Sequence, residues 1–168
     1  MYVDDLVITG NNSPFVERII DQLGKKFSLK DLGPLHFFLG IEVIPTRDGI
    51  FLSQHKYIRE LLGKTSMKGA KDVTTPLSTS VSLKLDDDTS SFDATEYRRV
   101  IGGLQYLSLT RLDISFAVNK LSQFMHAPTT THWTTTQRLL RYLKNKIFQG
   151  ITIRKTANPA LLCFSDSD

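Results

Sequence analysis

The chain has 168 residues, of which 40% are hydrophobic, so it is long enough to bury a core in one or two domains. No run approaches the roughly 18 apolar residues of a membrane span, and no signal peptide is recognisable. We therefore expect a soluble protein of the cytoplasm or nucleus with no membrane partner. The single cysteine, Cys163, excludes a disulfide or zinc framework within one chain.

The net charge of +4 is unevenly divided along the sequence. Residues 1–96 carry 11 Lys and Arg against 14 Asp and Glu, whereas residues 97–155 carry 10 basic residues and one acidic residue, Asp113. This second segment favours binding to a polyanion, because neutralising phosphates gives affinity for nucleic acid of any sequence. The alternative is an ordinary solvated surface rich in Lys and Arg.

Four residues at the start of the chain, Tyr2, Val3, Asp4 and Asp5, precede an apolar run at 6–8. Two adjacent carboxylates in this setting are typical of either a tight turn or a metal site. Turns favour Asp whatever the function, whereas two like charges repel unless a hard cation such as Mg²⁺ neutralises them. The spacing alone leaves both interpretations open.

A helix is predicted after this run. Ser13 is a candidate cap and Pro14 suits the first helical position, so the helix runs from there to about Lys26. We expect its apolar stripe to pack on the sheet that carries the Asp pair. The stripe consists of Phe15, Ile19, Leu23 and Phe27.

A hairpin and a short helix are predicted next. Residues 35–43 and 50–52 have strand character and are joined by a turn at 46–49, where Asp-Gly is a strong hairpin signal. Gly40 inside the first strand allows either close backbone approach to a nucleic-acid strand or a bulge. A short helix with one apolar side is expected over about 54–63.

The second half of the chain is predicted to be mainly helical. Residues 71–92 lack periodicity and are expected to form a mobile linker. Asp93 and Glu96 have capping-box spacing at the start of the first of three amphipathic helices, which should form a small bundle. The third helix, from about Thr131 to Asn145, is predicted to place Arg138, Arg141 and Lys144 outward. Two strands follow, at 150–154 and 161–164.

Y-x-D-D between apolar residues resembles the catalytic hairpin of reverse transcriptases, and the sequence that follows is similar to the polymerases of copia-type retrotransposons. An ordered series of motifs carries this resemblance over nearly the whole chain. The series is KDLG at 30–33, FLGIEV at 38–43, GIFLSQ at 49–54, KYI at 56–58, TP at 75–76, YR at 97–98, GGLQYL at 102–107, DISFAVN at 113–119, HW at 132–133, LRYLK at 140–144 and SDSD at 165–168.

The resemblance implies an α+β fold with four parts. Residues 1–70 would be the C-terminal part of a polymerase palm, with antiparallel hairpins packed on helices and a primer-grip hairpin. Residues 71–92 would be the linker, and residues 93–149 a three-helix thumb or connection bundle. Residues 150–168 would be the first two strands of an incomplete RNase H-like domain.

The resemblance also implies roles for particular residues. Asp4 and Asp5 are the expected ligands of two Mg²⁺ ions in nucleotidyl transfer. Lys30 is a candidate general acid, or a plain surface lysine. Asp166 matches the first acidic residue of RNase H. The residues expected to contact the primer or other nucleic acid are Tyr2, Val3, Phe38, Leu39, Gly40, Arg138, Arg141 and Lys144.

The implied activity is RNA-directed DNA synthesis on an RNA–DNA or DNA primer–template duplex, with deoxynucleotides as substrates of the complete enzyme. In the resembled family a further aspartate and the nucleotide-holding fingers come from sequence that precedes the hairpin. We therefore expect the 168 residues alone to be inactive and to bind Mg²⁺ weakly or not at all. The alternatives are a non-enzymatic nucleic-acid-binding module that uses the basic helices, or a translated relic without function.

Overall fold

The computed structural model describes residues 6–27, 29–85 and 87–155. Two helices flank three short strands in the first half of this part of the chain, and helices dominate the second half. In chain order the elements are α1 (Ser13–Phe27), β1 (Phe37–Phe38), β2 (Ile41–Thr46), β3 (Gly49–Ser53), α2 (His55–Lys64), α3 (Ala94–Leu107), a 3-10 turn (Leu112–Ile114), α4 (Ser115–Ser122), α5 (Thr130–Asn145) and β4 (Ile151–Arg154).

The four strands form one antiparallel sheet in the order β1-β2-β3-β4. The prediction of a single strand over 35–43 was wrong, because the chain reverses at Leu39 and Gly40. Both residues have positive φ, 46° and 71°, and Phe38 pairs directly with Ile41 across the turn. Two-residue hairpin loops with positive φ match the twist of the strands they join, and glycine adopts that conformation without strain. Gly40 therefore marks a hairpin tip.

The C-terminal end of the described chain returns to this sheet. The predicted turn between β2 and β3 is confirmed, with Thr46 paired to Gly49. On the other side of β3, strand β4 pairs along most of its length, from Gly49 with Arg154 to Leu52 with Ile151. The strand that we expected to open a separate domain at residue 150 is thus an edge of the sheet formed by the hairpin.

Helices α2 to α5 share one buried core. The stripes predicted for α3, α4 and α5 all face inward, and α2 adds its apolar side, so the bundle contains four helices rather than three. Each fully buried aliphatic side chain stabilises the fold by about 1.5–3 kcal/mol. The core comprises Ile58, Leu61, Leu62, Tyr97, Val100, Ile101, Leu104, Leu107, Ile114, Ala117, Val118, Leu121, Leu139, Leu140, Tyr142 and Leu143.

Helix α1 forms as predicted, but its apolar stripe is not buried by the described residues. Phe15 is 54% exposed and Phe27 is 58% exposed, while Ile19 and Leu23 are half-buried. The sheet expected to cover the stripe would carry Asp4 and Asp5, which lie outside the described residues. The periodicity therefore predicted the helix and its apolar face but not what covers that face. No described helix is long and apolar enough to cross a membrane.

The segment predicted to be a mobile linker, 71–92, contains no helix among its described residues, and it contacts the bundle at several points. Asp72 pairs with Lys144, Thr75 accepts a hydrogen bond from Arg138, and the ring of Phe92 stacks on Trp133 with 4.4 Å between centroids. We call residues 70–75 the strap, because they run along α5 in the opposite direction to the helix. Apolar side chains of the segment, including Val73, also pack against the bundle core.

Candidate nucleic-acid interface

The predicted catalytic residues lie outside the described part of the chain. Tyr2, Val3, Asp4, Asp5 and Asp166 all fall in the ranges that the structure does not describe. Across residues 6–27, 29–85 and 87–155, no group of three His, Cys, Asp or Glu side chains is arranged to hold a metal ion. The described residues therefore do not form a Mg²⁺ site, and the candidate ligands stay Asp4 and Asp5.

Lys30 lies on the surface between α1 and β1. Its side chain is exposed, and it makes no ion pair with any described residue. The neighbouring Asp31 stabilises a turn by accepting a hydrogen bond from the backbone N–H of Gly33 at 2.8 Å. Lys30 thus lies beside a local turn with its side chain in solvent.

The β1–β2 hairpin tip is held against the helical bundle. Leu39 is 56% exposed at the tip, while Phe38 is half-buried. A Cβ atom added at Gly40 would lie 2.7 Å from the hydroxyl oxygen of Tyr106 on α3. The Tyr106 ring in turn meets Tyr57 of α2 edge to face, with 5.1 Å between centroids. Of the three predicted primer-contact residues here, Leu39 is the one that presents its side chain to solvent.

The second tyrosine of this pair, Tyr57, is held in place by a hydrogen bond. Tyr57 donates a hydrogen bond to the carbonyl of Gly103 at 3.3 Å, which links α2 to α3. Burial, and to a lesser degree the nearby Tyr106 and Glu60, raise the pKa of Tyr57. The hairpin tip therefore rests on a pair of packed aromatic rings, so its position depends on packing.

The three basic residues predicted to face outward on α5 are all half-buried. Lys144 Nζ is 2.9 Å from Asp72 Oδ1 and donates to the carbonyl of Ala70 at 2.8 Å. Arg138 Nη2 donates to the hydroxyl of Thr75 at 2.7 Å. Arg141 has no hydrogen-bond or ion-pair partner among the described residues. The strap therefore engages two of the three cations and neutralises only Lys144.

Arg111 is a buried charged residue whose burial the sequence did not indicate. Arg111 is 1% exposed, and its Nε and Nη2 donate to the two carboxylate oxygens of Asp113 at 2.9 and 2.7 Å. Its Nη1 donates to the carbonyl of Lys146 at 3.0 Å, and Tyr142 donates its hydroxyl proton to Asp113 at 2.8 Å. This network joins the start of α4 to the end of α5. Arg111 is therefore occupied internally and unavailable to a polyanion.

The pKa of Asp113 reflects this network. Burial of the carboxyl raises the pKa, but hydrogen bonds from Arg111 and Tyr142, together with the Arg111 charge, outweigh that effect and lower it. Asp113 is the single acidic residue between 97 and 155 and lies two positions from Arg111. That spacing was the available signal that one of the ten cations is neutralised within the fold.

The start of α5 is capped by a buried histidine and a nearby loop. His132 is fully buried, its Nδ1 accepts a hydrogen bond from the backbone N–H of Thr129 at 2.9 Å, and its ring stacks on Phe124. Burial lowers the pKa of His132. Asp87 accepts hydrogen bonds from Thr89 and Thr129, and these lower its pKa to about 2. These groups therefore serve as the cap of α5.

The remaining basic residues of the 97–155 segment define the accessible charge. Arg98, Arg99, Lys146, Arg154 and Lys155 are exposed. Arg99 pairs loosely with Glu96 at 3.6 Å, a separation at which an exposed pair contributes little. Positive charge therefore persists on the surface of this half after Arg111 and Lys144 are neutralised.

The chain is similar in sequence to known proteins. The family profile described as reverse transcriptase (RNA-dependent DNA polymerase) matches residues 1–79. The retrovirus-related Pol polyproteins from transposons RE2 and RE1 of Arabidopsis thaliana are 46% and 48% identical over 168 residues, which is 100% of this chain and 12% of each polyprotein. No solved structure gives a significant match.

A shorter relative matches over most of its own length. An uncharacterized mitochondrial protein of Arabidopsis thaliana is 43% identical over 171 residues, covering 100% of this chain and 70% of that protein. By contrast, the chain spans only about an eighth of the two Pol polyproteins. The identity extends well beyond residue 79, through the helical bundle. The chain belongs to the reverse-transcriptase family, as a part of a copia-type retrotransposon Pol polyprotein.

Proposed function

We propose that this chain supplies the primer-side, duplex-binding part of an RNA-directed DNA polymerase. The observation that carries the proposal is the excess of basic residues between 97 and 155, several of which stay exposed after the internal ion pairs have formed. Such cations bind phosphate whatever the base sequence, as a polymerase requires of its primer–template. The exposed hairpin tip at Leu39 adds an apolar contact for the duplex.

The chemistry of the family would take place at the start of the chain. Reverse transcriptases generally use divalent metal ions, and Asp4 and Asp5 are the residues proposed to hold them here. When bound, a metal pair activates the primer hydroxyl and stabilises the departing pyrophosphate. Because family members draw a further aspartate from sequence that precedes the hairpin, we propose that the 168 residues alone bind duplex but do not extend a primer.

Duplex binding is tested with the purified 168-residue protein and a fluorescently labelled RNA–DNA hybrid. Anisotropy titrations between 50 and 200 mM salt, roughly the range in which phosphate contacts are most salt-dependent, should give a log–log slope of about −3 if three phosphates are neutralised. A folded protein, verified by circular dichroism, that shows no salt-sensitive binding would refute the proposal. The chain would then be better described as a translated relic.

Primer extension tests the second part of the proposal. The 168-residue protein is incubated with primer–template, deoxynucleotides and Mg²⁺, and the products are resolved by length. We expect no extension. Robust Mg²⁺-dependent extension that disappears in Asp4→Asn would show that the chain carries a complete catalytic centre, and that the assignment of binding without chemistry is incorrect.

A further inference from the structure

The basic face of α5 is not uniform. Arg138, Arg141 and Lys144 are spaced three residues apart, so they follow one another along the same side of the helix. Lys144 is paired with the carboxylate of Asp72. Arg138 contacts a neutral hydroxyl, that of Thr75, and therefore keeps its full charge. Two uncompensated guanidinium groups thus lie about one helical turn apart.

Each of these guanidinium groups also has an unpaired donor. The Nε atoms of both Arg138 and Arg141 are buried with no hydrogen-bond partner among the described residues. An unpaired buried donor has a cost in stability, and like charges at this spacing add repulsion. A structure accepts such a cost at sites that bind a ligand of opposite charge. Two adjacent arginines fit an oxyanion that accepts several hydrogen bonds at once.

We infer that Arg138 and Arg141 together bind one backbone phosphate of the nucleic acid, with Thr75 holding the Arg138 guanidinium in place. This inference rests on the proposed duplex-binding function and assigns its phosphate contact within the basic segment. Lys144 belongs to the strap contact, because Asp72 neutralises it. The strap thus has two effects on the face: Thr75 positions one cation and Asp72 removes another.

The experiment compares variants in the anisotropy assay on the RNA–DNA hybrid. Arg141→Gln should weaken binding about tenfold at low salt and make the log–log salt slope shallower by about 1, because one phosphate contact is lost. Arg141→Lys should keep the slope but recover only part of the affinity, since lysine has the charge without the forked donors. Arg47→Gln, an exposed cation in the β2–β3 turn, is the matched control and should change neither quantity.

Two further variants separate positioning from charge. Thr75→Val removes the hydroxyl that holds Arg138, so it should lower the affinity without changing the salt slope. Asp72→Asn removes the carboxylate beside Lys144 and should steepen the slope by about 1. A simple structural role for the face would produce neither pattern. Thermal unfolding followed by circular dichroism verifies that each variant is folded at the assay temperature.

The outcomes distinguish this inference from the proposed function. If the wild-type protein does not bind the hybrid, both are refuted. If it binds but Arg141→Gln keeps the wild-type affinity and slope, the phosphate assignment is wrong while duplex binding stands. The assignment is also overturned if Thr75→Val and Asp72→Asn both behave like the wild-type protein.

Discussion

Replacing Asp113 by alanine removes the carboxylate that neutralises a guanidinium with only 1% exposure. Arg111 would keep its charge in a buried position, with the carbonyl of Lys146 and the side chain of Gln149 as its remaining acceptors. Breaking a buried pair in this way costs about 3–5 kcal/mol, because the partner charge is left uncompensated. We expect a loss of this size in the free energy of unfolding.

Urea unfolding followed by circular dichroism measures the effect. With a denaturant slope of about 2 kcal/mol per molar urea, the midpoint of Asp113→Ala should fall by about 2 M. Tyr142→Phe removes one hydrogen bond to the same carboxylate and should cost about 1 kcal/mol. Glu96→Ala, which removes the exposed contact with Arg99, is the control and should change stability by less than about 0.5 kcal/mol.

A double variant tests whether the uncompensated Arg111 charge causes the loss of stability. Arg111→Met combined with Asp113→Ala removes the buried charge as well as its partner, so it should be more stable than Asp113→Ala alone. An unfolding midpoint for Asp113→Ala that matches that of Glu96→Ala would refute the reasoning. So would a double variant less stable than both single variants, because the cost would then come from lost packing.

The other predictions concern a turn and a titrating group. Gly40→Ala should lower the melting temperature, with a loss of about 1–2 kcal/mol in the free energy of unfolding. The reason is that Gly40 has a φ of 71° and that the added methyl group would meet Tyr106. Gly102→Ala, in α3 with open space around it, should instead stabilise the protein by about 0.5–1 kcal/mol. Burial disfavours the protonated form of His132 in the fold, whereas in the unfolded chain the side chain binds a proton below its ordinary pKa of 6.5. Its contribution to the free energy of unfolding is therefore present above that pH and is lost as the pH falls below it. Stability of the wild-type protein should therefore fall between pH 7 and pH 5 more steeply than that of His132→Gln, by up to about 1.4 kcal/mol per pH unit, and equal slopes in urea titrations would contradict this.

Much of the helical architecture was predictable because burial imposes a period on the sequence. The apolar side of α3, from Tyr97 to Leu107, is buried, as expected of an amphipathic helix in a bundle. Asp93 caps that helix through the backbone N–H of Thr95 at 2.8 Å. These features depend on residues close together in the chain, which is the scale on which propensity and capping act.

The features that the sequence did not predict depend on contacts between distant residues. The strand expected over 35–43 is interrupted at Leu39, which has a positive φ that no propensity scale assigns to leucine. The three cations on α5 were expected to be equivalent, but the strap, more than sixty residues away in sequence, makes them different. Charge counting likewise treated Arg111 as surface, because the nearby Asp113 indicates a partner for the guanidinium but not its burial against Lys146 at the distant end of α5.

The pairing of β4 with β3 has a consequence for how the chain folds. About a hundred residues separate the two strands, and the entire helical bundle lies between them, so this pairing has a high entropic cost of loop closure until the bundle has formed. We expect the helices to assemble first and the sheet to close last. Until it closes, β3 presents an open edge of unpaired backbone groups to which another chain can add, so nascent or C-terminally shortened forms should be those most prone to aggregate.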